Sequence, residues 1–244
     1  MNHPSTQPFV TPILVIGAGA LGGAVAMALV EAGVTGFGLA DPDHIALSNL
    51  HRQVLYRTSD IGHLKVAVAA QRLTRPGAQA NCCIYPQRLE GVEGIVEVAR
   101  HFRVLVDGSD NFATRFAAND AALQLGIPLV HGAVVGFLGQ VLSVIPGQSA
   151  CLRCLFEGPP PPQMGGSCTD QGVLGSLAGE VGWLMAIEAI KLLRGVGKPL
   201  LDRLLTIQAK TGLRRQVIFK KNPQCRGCQG DILSRVGRDD GKNL

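Results

Sequence analysis

Aromatic side chains are scarce in this chain, which holds one Trp, two Tyr and eight Phe among 244 residues. Its Lys and Arg residues are scattered and do not interleave with those few rings, so a base-stacking groove for nucleic acid is not expected. Charge of both signs is sparse at 17%, and the net value of +5 is a modest excess. A balance of that size suits an acidic protein partner or a phosphate ligand. Residues 1–12 contain no Lys or Arg, so the basic start of an export signal is missing and a cytoplasmic location is expected. In a reducing compartment, seven cysteines argue for metal or thiol chemistry rather than disulfides. Residues 13–30 carry no charge and are long enough to imitate a membrane span. Residues 173–193 are broken by Glu180, Glu188 and Lys191. Both stretches are expected to be buried core elements, with no membrane partner.

The apolar fraction of 46% is enough for a sizeable core, and the length allows one large α/β domain. Strand-like and helix-like segments alternate. Strands are expected near 13–16, 37–40, 84, 104–106 and 129–133, with helices near 20–32, 64–73, 92–101 and from Asp110, as N-cap, to 125. This rhythm implies a Rossmann-like, doubly wound, mostly parallel sheet covered on both faces. Beyond Ala133 the character changes. A strand of different type is expected at 140–145, then a Gly/Pro-rich loop at 157–172, a long helix at 173–194 and strands at 204–208 and 215–219. The expected organisation is one domain over 13–230, with a flexible extension before it and a disordered tail at 231–244.

Gly17-Ala18-Gly19-Ala20-Leu21-Gly22 follows the first strand and opens the first helix. Glycines there permit a tight turn and let phosphate approach the free N–H groups of a helix N-terminus. Asp41, at the end of the second strand, can accept hydrogen bonds from ribose hydroxyls. Alone, this fingerprint fits a nicotinamide or flavin oxidoreductase equally well. The run from Asp41 through Asp43, Ser48, Asn49, Leu50, His51, Arg52 and Gln53, with Lys65 on the next helix, is richer in phosphate and ribose partners than such an enzyme needs. Asp107-Gly108-Ser109-Asp110-Asn111 falls at the carboxyl edge of the sheet, where ligands of such folds bind. Two cations and a carboxylate there suit a triphosphate with Mg²⁺.

Two CxxC knuckles, Cys151/Cys154 and Cys225/Cys228, can complete a tetrahedral four-thiolate zinc site that staples the C-terminal segment to the body. A redox pair would need a low-pKa thiol at a helix start, and Pro223 argues for a loop. Cys168 closes the Gly/Pro-rich loop just before the long helix, where a helix N-terminus can lower a thiol pKa. Cys82 and Cys83 are expected to be packing residues in or beside a strand.

The motifs GAGALG, ADPDHIALSNLHRQ, DIGHLKV, DGSDNFATR, CLRC, AIEAIKLL and CRGC, in this order, resemble the ThiF/MoeB/HesA group of the ubiquitin-activating superfamily. The resemblance runs from about residue 13 to 228. It implies an adenylyltransferase that activates the C-terminal Gly-Gly carboxylate of a ubiquitin-like sulfur-carrier protein with ATP, for thiamine- or molybdopterin-type biosynthesis. It places the Gly17 loop (Gly17, Gly19, Ala20, Gly22) and Asp41 at the adenosine, and Asn49, Arg52 and Lys65 at the phosphates with Gln53 nearby. Asp110 holds Mg²⁺ beside Asn111, the four knuckle cysteines hold zinc, and Cys168 serves thioester or acyl-disulfide chemistry. It also implies a homodimer and a separate sulfur-donor protein, with the carrier and zinc region at about 136–230. The chain departs from the family pattern at the N-terminal Arg-Tyr-x-Arg-Gln segment, having no Arg before Arg52, and at Leu64 and Gln208. Other readings are activation of another carboxylate, on a peptide or a modified tRNA, and a zinc-bearing relative without catalysis.

Overall fold

The computed structural model describes residues 12–74, 81–158 and 172–229. The expected loop thiol Cys168, the extension through residue 11 and the tail from residue 230 lie outside the described residues.

One eight-stranded sheet organises the chain, in the order β3-β2-β1-β4-β5-β6-β7-β8. Strands β1 (Ile13–Ile16), β2 (Gly36–Ala40), β3 (Asn81–Tyr85), β4 (Val104–Asp107) and β5 (Leu129–Val135) run parallel. Strands β6 (Leu138–Val144), β7 (Arg203–Gln208) and β8 (Leu213–Ile218) add antiparallel to β5. The α/β expectation holds, with each strand within a few residues of its expected place.

Strand β1 shows why both faces are covered. Its side chains alternate between two apolar clusters: Ile13 and Val15 join one, Leu14 and Ile16 the other, as a period of two requires. On the first face lie α1 (Ala20–Glu31), α2 (Lys65–Leu73) and α6 (Gly175–Arg194); on the second lie α3 (Gly91–Ala99), α4 (Phe112–Leu125) and the one-turn α5 (Leu152–Leu155). The two membrane-like runs are thus a strand plus α1, which is largely buried, and α6 with its approach, which buries one face and leaves Trp183 and Ile187 about half exposed. No helix among the described residues is long and apolar enough to cross a membrane.

Two helix boundaries differ from, or sharpen, the sequence reading. Asn111, not Asp110, caps α4: its side chain accepts from Thr114 N at 2.9 Å, leaving Asp110 outside the helix. Gly195 ends α6 in the left-handed conformation at φ 65°, the usual reason for a glycine past a helix end. Of the adjacent cysteines only Cys82 packs against the core; Cys83 is exposed, because neighbours on a strand face opposite ways. Burial pushes the Cys82 thiol up to about 12.

Helix α6 is tied to the sheet by a buried carboxylate. Glu188 Oε2 accepts from Ser143 Oγ at 2.8 Å and from Leu200 N at 2.7 Å, while Oε1 pairs with Lys191. Glu180 pairs with Arg214 of β8, which explains a charge in an otherwise apolar stretch. Helices α1 and α6 meet at Gly182, where an added Cβ would stand 2.6 Å from Ala24 Cβ and 2.8 Å from Leu21 O.

Those contacts generate opposite outcomes for two glycines on one helix. Gly179→Ala meets nothing within 4 Å and is expected to stabilise by roughly 0.5–1 kcal/mol through helix propensity. Gly182→Ala gains the same propensity but must push two backbones apart, at about 1–3 kcal/mol, so it is expected to be net destabilising. Urea midpoints of the two variants check both signs.

Candidate functional site

A cleft opens at the carboxyl edges of β1, β2 and β4, where the connections leave toward opposite faces of the sheet. This is the crevice in which ligands of doubly wound folds bind. Its floor is the glycine loop. Gly17 sits at φ 93°, and a Cβ there would lie 2.9 Å from Gly108 O; on Gly22 it would lie 1.7 Å from Gly17 O. Only glycine lets the loop, α1 and the β4 exit pack this closely. Gly19 precedes α1 without a side-chain cap, and no acidic residue occupies the first turn. The helix N-terminus therefore faces the cleft with unspent N–H donors, a setting that favours an anion.

Asp41 is buried against the loop. Its Oδ2 accepts from Ala18 N at 2.7 Å and its Oδ1 from Asp43 N at 2.8 Å. Burial raises its pKa above 3.8, against the lowering field of Lys65 and the two backbone hydrogen bonds. Lys65, at the start of α2, is only 5% exposed and bonds Asp43 Oδ2 at 2.8 Å, with Asp41 Oδ1 at 3.9 Å. Tyr56 fixes the same corner by donating to Ala18 O at 2.7 Å. Arg52 engages Ser48 O and His51 through Nη1, leaving Nη2 and Nε without a partner among the described residues. Gln53 is buried, and its Oε1 is the one buried side-chain polar atom without a hydrogen bond among the described residues. Burying an unpaired acceptor costs on the order of 1–3 kcal/mol, so a missing donor is implied.

Gly17, Gly19, Ala20, Asp41, Asp43, Arg52, Gln53, Lys65, Asp110 and Asn111 all line this cleft. Gly22 lies beneath the loop. Ser48, Asn49, Leu50 and His51 do not line it; the Asn49 side chain instead accepts from Ala46 N at 3.3 Å, shaping the loop that presents Arg52. Sequence reasoning did not single out Gln87, Arg88 and Arg115, which also line the cleft. Nor did it single out His131, whose Nδ1 donates to Asp107 Oδ2 at 2.8 Å. A lone polar residue inside the apolar run of β5 was the available signal. Burial opposes the charge on Asp107, yet hydrogen bonds from His131 and Ser109 and the field of Arg115 hold its carboxyl below 3.8.

The knuckle cysteines form a second centre. Their four Sγ atoms lie within 4.8 Å of one another, with Cys151–Cys225 at 3.6 Å and Cys154–Cys228 at 3.5 Å. Tetrahedral ligands at Zn–S distances stand about 3.8 Å apart, so the donor set fits a thiophilic cation. Burial pushes the Cys151 thiol far above its usual range and Cys228 up to about 11. Burial also opposes charge on Cys154, yet hydrogen bonds from the Asn222 and Cys151 backbone hold its thiol below the usual value. Arg153, inside the first knuckle, reaches Asp120 through Nε and Nη2, each at 2.7 Å, and Leu152 N donates to Asn119 Oδ1 at 2.9 Å. Helix α4 therefore orients the knuckle.

A model of the ThiF family matches residues 10–227. The chain is 45% identical over 228 residues to the sulfur carrier protein adenylyltransferase of Thermus thermophilus, covering 91% of this chain and 84% of that protein. It is 39% identical over 217 residues to the adenylyltransferase and sulfurtransferase MOCS3-1 of Zea mays, covering 88% of this chain and 46% of that one. The chain therefore spans about half the length of that relative. Among solved structures, E. coli MccB with ATP matches with a TM-score of 0.78 at 19% identity, over 89% of this chain and 66% of that chain, a likeness that speaks for the fold alone.

The Asp107 pair carries a stability consequence with a definite sign. Because its folded pKa lies below 3.8, ionised Asp107 stabilises the fold at pH above that value. The contribution drains away as pH falls through the lower folded value. Asp107→Ala, which leaves His131 and Ser109 without their acceptor, is expected to cost about 3–5 kcal/mol at pH 7. Urea unfolding is expected to show a smaller gap between variant and parent at pH 3.

Proposed function

The chain belongs to the ThiF family, and from that premise we propose that it is an ATP-dependent adenylyltransferase acting on the C-terminal carboxylate of a ubiquitin-like sulfur carrier. The observation that carries this reading is the convergence, in one cleft, of an open helix N-terminus, the cations Lys65 and Arg52, the exposed carboxylate of Asp110 and the unpaired Gln53 Oε1. The name of the Thermus thermophilus relative supports the carrier as substrate class.

The proposed reaction asks the protein for alignment and charge screening rather than covalent work. The carrier's terminal carboxylate attacks the α-phosphorus, and pyrophosphate leaves. The α1 N-terminal amides, Lys65 and Arg52 meet the phosphates. Asp43, half exposed, is the counter-ion from which an incoming phosphate can draw Lys65. The remaining lone pairs of Asp41 accept from the ribose, and Gln53 Oε1 accepts a donor from the nucleotide or its water. Asp110 would hold Mg²⁺, which supplies neutralisation of the phosphate charge when bound. Zinc at the four cysteines is structural in this reading, holding the 225–228 segment against α4 and α5. A homodimer, a separate sulfur donor and thiamine- or molybdopterin-type biosynthesis complete the proposal. Cys168 remains the proposed thiol for later sulfur chemistry.

Pyrophosphate–ATP exchange tests the reaction. Exchange is expected only with a carrier ending in Gly-Gly, and Arg52→Ala and Lys65→Ala are each expected to lower kcat/KM by about 10²- to 10³-fold. Absence of exchange across thiamine- and molybdopterin-type carriers, at saturating Mg²⁺ and ATP, would reject it. For the cysteine centre, elemental analysis is expected to find close to one zinc per chain. Cys225→Ala is expected to lose that metal together with thermal stability. Full metal content in Cys225→Ala would remove the centre from the proposal.

A further inference from the structure

Asp107 and His131 are direct partners in the parallel β4–β5 register, and Asp107 is likewise the partner of Ile16, the last residue of β1 before the glycine loop. The fully buried Asp107 carboxylate accepts three hydrogen bonds: from His131 Nδ1 at 2.8 Å, Ser109 N at 3.1 Å and Ser109 Oγ at 2.6 Å. On its other side, the Ser109 carbonyl accepts from Arg115 Nε at 3.4 Å and Nη2 at 3.3 Å. Ser109 is thereby gripped through its amide, its hydroxyl and its carbonyl. The next residue is Asp110, exposed and without a hydrogen-bond partner among the described residues. A free carboxylate at the end of a clamped backbone suits a ligand rather than the fold.

We propose that His131 is a positioning residue for Asp110. By donating to Asp107 it fixes the carboxylate that grips Ser109, and so sets where Asp110 presents its oxygens to a divalent cation carried by the nucleotide. The inference rests on the reading of the cleft as a nucleotide–magnesium site. Groups hydrogen-bonded directly to a metal ligand typically change its affinity by about 10- to 100-fold when removed; His131 acts further out, through Asp107 and Ser109, so the low end of that range is the ceiling. His131→Asn keeps an N–H near the position of Nδ1, whereas His131→Ala removes it.

The test is calorimetric titration of the full chain with α,β-methylene-ATP, once in Mg²⁺ and once in EDTA. His131→Ala is expected to weaken binding in Mg²⁺ by about 3- to 10-fold while leaving binding in EDTA unchanged, and His131→Asn is expected to restore most of the loss. Ser109→Ala, which deletes one of the three hydrogen bonds, carries the same expectation with a smaller loss and covers the case in which His131→Ala does not fold. Equal weakening with and without Mg²⁺, no weakening, or a His131→Asn variant as impaired as His131→Ala would each overturn the inference. So would a parent chain whose binding ignores Mg²⁺. If carrier-dependent exchange is absent while the Mg²⁺-dependent loss is present, adenylylation is rejected and the positioning role stands.

Discussion

Everything at the cleft depends on three backbones meeting without side chains between them. Gly17 turns at positive φ against Gly108 O, Gly22 lies on Gly17 O, and a Cβ on Gly108 would stand 3.1 Å from Gly22 N. A methyl group at any corner would lift α1 from β1 or push the β4 exit away from the loop. The helix would then no longer aim its free N–H groups along the carboxyl edge of the sheet. Asp41 completes this floor by taking up Ala18 N, and Tyr56 holds the Ala18 carbonyl. The glycine loop is therefore fixed from both sides of its peptide planes before any ligand arrives.

The charges around that floor differ in how far they are exposed. Lys65 is buried but its closer counter-ion, Asp43, is half exposed, so in the proposed reaction Asp43 is the partner that a phosphate displaces into water. Asp41, Asp107 and Glu188, by contrast, are buried and bonded to donors from distant segments. Their carboxylates fix geometry. Asp43 and Asp110 are exposed, whereas Asp107 and Glu188 belong to the fold, and Asp41 both shapes the loop and lines the cleft.

Most of the fold was legible because its signals are periodic and local. Strand β1 and helix α1 followed from a short apolar run, a glycine turn and a small-residue helix, and the parallel sheet followed from the alternation of such units. The cleft's floor and its cations could be read from residue type and from place at strand ends. The pairing of Asp107 with His131 could not, because it depends on β4 lying beside β5 in one particular register across 24 residues. The same holds for Glu180 with Arg214, and for Arg115, whose helical position alone says nothing of the cleft beneath it. The cap of α4 was misjudged by one residue since Asp110 and Asn111 are both good caps, and only the hydrogen bond to Thr114 N distinguishes them.

Cys225 and Cys228 follow every strand of the sheet in the chain, whereas Cys151 and Cys154 precede both strands of the last hairpin. During synthesis the second pair of sulfurs thus emerges after β8. The four-sulfur cluster can close only around a chain whose sheet segments have all left the ribosome. Closure is therefore order-dependent: a nascent chain arrested before residue 225 would hold two of the four sulfurs and lack the other two.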